Sequence, residues 1–310
     1  MLFRSVGSDV PVPNPVAVSE LFTGIKKLGF DVVHVDNANP AVIAAHPAES
    51  EEVLRTIVEC CTPGNVLAFG MESADPRVIA ENNLNSTPEQ VMDAVRMVNR
   101  IGGERGENGL PKLLPGINII CGLDGETAGT YKMDMDILNR IRDEGLSVRR
   151  INIRQVLPVR REFDTKVDQR RFKKFKDDVR ETIDREMLRR VVPEGTVLKD
   201  VLMELKDGNT TFGRQIGSYP LLVGVSYPLD VGESYDVKIT GWGFRSITGI
   251  TYPFDINSMP MRAIEALPGI GKKRAATVVM KRPFKDLAEL DAIFEDRSVA
   301  EGLRDLVTFG

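Results

Sequence analysis

Val66-Leu67-Ala68-Phe69-Gly70-Met71-Glu72-Ser73-Ala74-Asp75-Pro76 decides how the rest of the chain is read. The apolar run up to Met71 has nothing polar on either face, which suits a strand of a parallel sheet covered by helices on both sides. It delivers a carboxylate and a hydroxyl, Glu72 and Ser73, just before a helix start at Asp75-Pro76. Ligands of α/β sheets bind at the carboxyl ends of strands. Glu72 is therefore a candidate binding residue, and its bland alternative is a carboxylate that caps the next helix.

Outward from that strand the pattern alternates. Met1 to Val6 reads as a first strand, followed by the proline-marked stretch Pro11 to Pro15. A helix over Val16–Leu28 follows, ended by Gly29, and then a strand over Phe30–Asp36. Asn37, Asn39 and Pro40 open the next helix, and Glu49–Cys61 is helical with Val53, Leu54, Ile57 and Val58 on one face. Beyond the central strand, Thr87-Pro88-Glu89 starts a helix that runs to Ile101. Gly102–Gly109 is a glycine-rich loop whose spacing, leading from helix to strand, excludes a dinucleotide fingerprint. Leu113–Cys121 is a strand, Gly122-Leu123-Asp124-Gly125-Glu126-Thr127 leads into a helix that reaches Glu144, and Val148–Leu157 is a further strand. That makes five strands of one α/β unit, with parallel strands and right-handed crossovers.

The character changes after Pro158. From Lys166 to Arg190 the chain carries ten basic and six acidic residues, with Phe172, Phe175, Val179, Ile183 and Met187 as an apolar stripe. This is an amphipathic helix with a solvated charged face. Val197–Ile250 shows short strands at turn-marked spacing and reads as a small all-β barrel. Met261–Phe309 is helical again, broken at Leu267-Pro268-Gly269-Ile270-Gly271 and near Pro283. The expected domains are residues 1–165 (the α/β unit), 166–192 (a linker helix), 193–257 (the barrel) and 258–310 (a helical domain).

Composition bounds the rest. The chain has 310 residues, is 42% apolar and carries a net charge of −4, which argues against a protein that is basic throughout. Cys60, Cys61 and Cys121 are too few and too oddly placed for a disulfide framework, fit a reducing cytosol, and read as buried small hydrophobes. No apolar run approaches the roughly 20 residues that span a bilayer, and no signal peptide is visible. The expectation is a cytoplasmic protein without a membrane partner.

The C-terminal segment carries the strongest charge segregation. Ile264–Ala276 reads as helix, glycine turn and second helix. Gly269 and Gly271 let the backbone turn tightly, and Lys272, Lys273 and Arg274 open the following helix, whose N-terminus attracts anions. Between Met261 and Lys285 there are seven basic residues and one acidic, which is the footprint of phosphate-backbone binding. Such contact would be independent of base sequence, and the alternative is a turn used for domain packing.

Taken together, Gly70-Met71-Glu72-Ser73 and Gly122-Leu123-Asp124-Gly125-Glu126-Thr127 resemble the fourth and fifth strand ends of the radical S-adenosylmethionine superfamily. The superfamily pattern after the fifth strand is Gly-(Leu/Phe)-Pro-Gly-Glu-Thr, so Asp124 departs at one position. Arg149–Pro158 looks like the sixth strand of a subgroup whose proteins end in a helix-hairpin-helix, and Tyr219–Gly249 is similar to a TRAM-type barrel. The resemblance extends over roughly residues 1–305. It implies a partial (β/α) barrel followed by a TRAM-like (OB-like) barrel and a helix-hairpin-helix. It further implies reductive cleavage of S-adenosylmethionine by an iron–sulfur oxidoreductase acting on a nucleic acid. The cofactor's ribose and methionine would lie near Glu72 and Ser73, its adenine over Gly122 and Leu123, with Gly125 permitting the turn and Gln155 facing the mouth.

One departure is large. The superfamily holds a four-iron four-sulfur cluster through Cys-x-x-x-Cys-x-x-Cys, and that spacing is absent here. The resemblance places the second strand equivalent at about Leu2, so the cluster-bearing first strand and loop are missing. Two explanations stay open, an N-terminal truncation and a split or degenerate paralogue. A non-catalytic nucleic-acid-binding protein is the competing class. No catalytic or metal-binding residue is assigned, and the unpaired barrel edge at Leu2–Val6 is expected to be covered by another chain or poorly ordered.

Overall fold

The computed structural model describes residues 10–157, 166–294 and 297–310. They fall into two compact units, one made of the chain up to Val191 with 217–219, the other of 192–216 with 220–310.

The first unit opens with α1 (Pro15–Lys27), β1 (Asn37–Ala38), α2 (Pro40–Ala45), α3 (Pro47–Cys60) and β2 (Asn65–Glu72). It continues with α4 (Pro76–Glu81), α5 (Pro88–Gly102), β3 (Leu113–Cys121), α6 (Ala128–Asp143) and β4 (Ile151–Gln155). Four of these helices start in the same way. Asn14, Asn39, Asp75 and Thr87 each present a side-chain oxygen to an amide of the first turn, and proline follows at once. The cap accepts one of the orphan N–H groups, and proline has no N–H to satisfy.

The sheet is parallel throughout, in the order β1-β2-β3-β4. Leu67, Phe69 and Met71 of β2 are fully buried, as are Leu113, Ile117 and Ile119 of β3. A bulge between Gly70 and Glu72 shifts the register at the carboxyl end of β2.

Two strands are shorter than the apolar pattern suggests. Phe30–Asp36 is not a strand, and the ladder with β2 starts only at Asn37. The reason is Asn65, whose buried side chain accepts from Val35 N–H (2.7 Å) and donates to Val35 C=O (2.8 Å), so an amide group replaces two backbone partners. Thr62 acts similarly on Val33, its hydroxyl accepting from the Val33 N–H at 3.0 Å. On the β4 side, Arg150 sits at φ 73, a left-handed conformation that interrupts an extended chain, and β4 begins only after it. Among the described residues the sheet has four strands; the expected strand at Met1–Val6, with its edge, lies outside them.

The charged amphipathic segment forms α7 (Gln169–Val179), a π-helical turn (Arg180–Asp184) and α8 (Arg185–Val191). Its stripe, Phe175, Val179, Ile183 and Met187, belongs to the same buried cluster as Phe69, Ile117 and Leu138. Phe175 meets the Tyr131 ring edge-on at 5.5 Å between centroids. The segment is thus part of the sheet unit's core.

The second unit contains β5 (Val197–Asp207), β6 (Thr210–Arg214), β7 (Leu222–Val225), β8 (Ser234–Trp242) and β9 (Ser246–Thr251). These close a barrel in the order β5-β6-β7-β9-β8, antiparallel except for the parallel pair β7–β9. Gly213 lies against β5 so closely that a Cβ would sit 2.4 Å from the Leu202 carbonyl oxygen. Buried Tyr227 accepts from Thr251 N–H at 2.8 Å and pairs with its hydroxyl at 2.9 Å. The helices α9 (Met261–Glu265), α10 (Gly271–Lys281), α11 (Leu287–Asp291) and α12 (Arg297–Leu303) complete this unit.

Candidate functional site

The carboxyl end of β2 opens onto a cavity of about 410 Å³. Glu72 is the only charged residue among its described lining residues, beside Asn37 and Asn39 from the β1 end, Gly70, and Asn83 and Asn85 from the loop after α4. Glu72 has φ 59 and Asn83 φ 51, so two non-glycine residues in left-handed backbone face one cavity. Such conformations cost of order 1–3 kcal/mol each and cluster where a side chain must be aimed for function. The bulge before Glu72 supplies that re-aiming.

Glu72 does not cap α4. That role belongs to Asp75, whose carboxylate accepts from Arg77 N–H at 2.9 Å. One oxygen of Glu72, Oε2, is buried with no hydrogen-bond partner, and burial pushes its carboxyl above the usual carboxylate range. Such a group is stabilised by an incoming donor, either hydroxyls or an ammonium. The four asparagines around it can donate and accept without adding charge. Asn39 already uses its carbonyl oxygen to cap α2 through Ala41 N–H (3.0 Å).

The other expected site residues are placed differently. Ser73 is 1% exposed and turned inward. Its hydroxyl donates to Asp134 Oδ1 at 3.4 Å and accepts from Asp75 N–H at 3.1 Å. Asp134 also accepts from Ala74 N–H at 2.6 Å, and the other Asp75 oxygen accepts from Thr130 Oγ1 at 2.6 Å. Burial raises the Asp134 carboxyl to about 7 against the pull of those two bonds. Ser73 therefore belongs to a buried network that fixes the turn after β2, because α6 brings a carboxylate underneath it.

Gly122, Leu123 and Gly125 form the loop after β3. Gly122 has φ 94, and its N–H donates to Glu126 Oε2 at 2.5 Å. Leu123 is buried. Gly125, at φ 82, packs so tightly that a Cβ would lie 2.6 Å from the Glu81 carboxylate of α4. The loop is tied to α4 through Asn82, which donates to Asp124 C=O at 2.8 Å and accepts from its N–H at 3.3 Å. Asn82 thus joins the β3 loop to the cavity wall that Asn83 begins. Gln155 ends β4 and exchanges amide hydrogen bonds with Gln169. Of the expected residues, Glu72 alone lines the cavity. Its asparagine partners had a visible signal, the run Asn82-Asn83-Leu84-Asn85, which apolar periodicity does not register.

The thiols are not placed for metal. Cys61 and Cys121 are buried, and burial pushes both up to about 12. Among the described residues no group of three or more His, Cys, Asp or Glu side chains could hold a metal ion, and no helix is long and apolar enough to cross a membrane.

In the second unit, Ala266–Ile270 connects α9 to α10. Gly269 and Gly271 have φ 74 and 60. No side chain caps the N-terminus of α10, and its first turn has no acidic residue. Lys272 and Lys273 are exposed, whereas Arg274 donates to Gly269 C=O at 2.6 Å and braces the turn.

Comparison with known proteins adds little about activity. No protein-family profile matches the chain. Among curated proteins, an uncharacterized protein of Methanocaldococcus jannaschii is 49% identical over 263 residues, covering 80% of this chain and 48% of that protein. An uncharacterized protein of Archaeoglobus fulgidus is 40% identical over 293 residues, covering 92% and 55%. The chain spans about half the length of the curated relatives it matches. Among solved structures, the radical S-adenosylmethionine methyltransferase TsrM from Kitasatospora setae, bound to tryptophan and a cofactor analogue, is similar with a TM-score of 0.32 and 12% identity. That match covers 95% of this chain and 43% of the other. So loose a likeness carries no argument, and the chain stands as a mixed α/β protein with archaeal relatives.

Proposed function

We propose that the sheet unit binds S-adenosylmethionine at the carboxyl end of β2, as the cofactor-recognition part of a radical S-adenosylmethionine-type oxidoreductase with a nucleic-acid substrate. Glu72 carries this reading. A strained backbone holds a buried carboxylate oxygen without a partner against a cavity lined by asparagines. Ribose hydroxyls and the methionine ammonium are donors of the kind that oxygen lacks. Gly122, Leu123 and Gly125 shape the neighbouring loop, Ser73 fixes the turn from beneath, and Gln155 flanks the sheet end. An iron–sulfur cluster does not fit the residues present. The cysteines lack the required spacing, and two of the three are buried neutral thiols.

Calorimetric titration with S-adenosylmethionine and S-adenosylhomocysteine tests this. Both carry the ribose and ammonium groups, so both should bind. Glu72→Gln should weaken them about 10- to 100-fold, the range expected for one hydrogen bond to a charged group. Absence of heat with either compound, or full binding by the variant, refutes the proposal.

The alternative reading is a non-catalytic nucleic-acid-binding protein that uses its TRAM-like barrel and a helix-hairpin-helix over α9 and α10. It is favoured by the uncapped N-terminus of α10 with exposed Lys272 and Lys273 beside the glycine turn. Gly269 and Gly271 would allow phosphate to approach, and Arg274 would hold the turn. Titration against unrelated DNA and RNA oligonucleotides separates the two readings, since only the second requires binding without S-adenosylmethionine.

A further inference from the structure

A second cavity in the sheet unit, of about 610 Å³, shares Asn37, Ala38 and Asn39 with the polar one but has a different chemistry. Its walls come mainly from α1 and α3, completed by β1, α2 and Leu67 of β2; Phe22, Val35, Ile43, Leu54, Ile57 and Leu67 line it, and none of its described lining residues is charged. Its volume is that of a small-molecule site, and pockets of this kind are mostly apolar with a few placed polar groups. Here the polar lining residues are Asn37, which donates to Asp36, Asn39, which caps α2, and Ser50 in the first turn of α3, the one whose side chain is left unmet.

Ser50 is 2% exposed, lines the cavity, and its hydroxyl has no hydrogen-bond partner. A serine inside a helix that does not point to solvent can satisfy its hydroxyl on the carbonyl four residues earlier. Thr56, on the same helix, does so, donating to Glu52 C=O at 3.2 Å. Ser50 does not, and a buried hydroxyl left unmet costs about 1–3 kcal/mol.

We infer that this cavity binds an uncharged, mainly aliphatic molecule with one hydrogen-bonding group, seated against Ser50. A charged ligand is disfavoured because an ion there would be desolvated with no charged partner among the described lining residues. A serine hydroxyl both donates and accepts, so an alcohol or a carbonyl would satisfy it. The inference is independent of Glu72 and of the proposed cofactor.

The test uses the full chain and N-phenyl-1-naphthylamine, an uncharged probe whose fluorescence rises in apolar surroundings. The probe should brighten with saturation, and 1-octanol should displace it while octanoate and octylammonium should not. Ser50→Ala should weaken displacement by 1-octanol about three- to tenfold and leave displacement by n-octane unchanged, because only one hydrogen bond is lost. Leu54→Phe, which fills the cavity, should abolish probe binding with the helical circular dichroism intact. Where that variant does not fold, Ser50→Ala decides. No brightening, equal displacement by octanoate, or an octanol-to-octane ratio unaffected by Ser50→Ala overturns the inference.

Discussion

Replacing Asp134 by Asn should change how the stability of the sheet unit depends on pH. Asp134 is 2% exposed, and burial raises its carboxyl from the ordinary 3.8 to about 7, with Glu126 and Asp75 adding to the rise. The bonds from Ala74 N–H and the Ser73 hydroxyl oppose it. A carboxyl whose pKa is raised on folding binds its proton more tightly in the folded state. Stability from this group is therefore intact below the unfolded pKa, falls as pH rises, and is fully lost above about pH 7. The shift corresponds to about 4 kcal/mol in all, of which roughly 3 falls between pH 5 and pH 8. Asparagine keeps an oxygen to accept from Ala74 N–H but has no charge to desolvate. Urea unfolding followed by far-ultraviolet circular dichroism at pH 5 and pH 8 is the assay. The wild type should lose about 3 kcal/mol more than Asp134→Asn across that interval. Identical pH dependence in the two proteins would refute the claim that Asp134 is a buried acid in a network too weak to ionise it at low cost.

Glu72→Gln should raise the melting temperature at pH 8, because it removes a carboxyl that burial holds above its usual range; an unchanged or lower value counts against a desolvated carboxylate. Gly102→Ala should destabilise the sheet unit by about 1–3 kcal/mol in urea, since a Cβ there would sit 2.6 Å from the Leu113 carbonyl oxygen, which cannot step aside. Native alkylation with iodoacetamide, read by mass spectrometry, should label Cys60 alone, with Cys61 and Cys121 reacting only in denaturant. Lys272→Glu with Lys273→Glu should shallow the salt dependence of duplex DNA binding by roughly two units of log–log slope. Gly271→Val should weaken the same binding through its left-handed backbone, since no atom lies within 4 Å of where its Cβ would be. Fluorescence anisotropy at several salt concentrations reads both effects, and wild-type affinity in both variants refutes the phosphate reading.

Where chemistry is local, sequence was a sufficient guide. Caps at Asn39, Asp75 and Thr87 sit next to the prolines they precede, and Leu113–Cys121 is bounded as its apolar run suggests. Glu72 stands out because a charge ends a wholly apolar strand. What could not be read depends on residues distant along the chain. Ser73 turns inward for Asp134, 61 positions later, and Phe30–Asp36 loses its ladder to the side chain of Asn65. The cavity wall at Asn83 requires a left-handed residue that no periodicity announces.

Asn65 also bears on how this sheet finds its alignment. With only two residues, β1 pairs with β2 at Asn37–Ala68 and Ala38–Phe69, too short a ladder to resist a one-residue slip that would turn every side chain to the opposite face. The amide of Asn65 recognises both the N–H and the C=O of Val35, and a slipped chain would present those groups out of its reach. Aspartate could not donate, and leucine could neither donate nor accept. One side chain therefore acts as the index mark for a two-residue strand that carries almost no alignment information of its own.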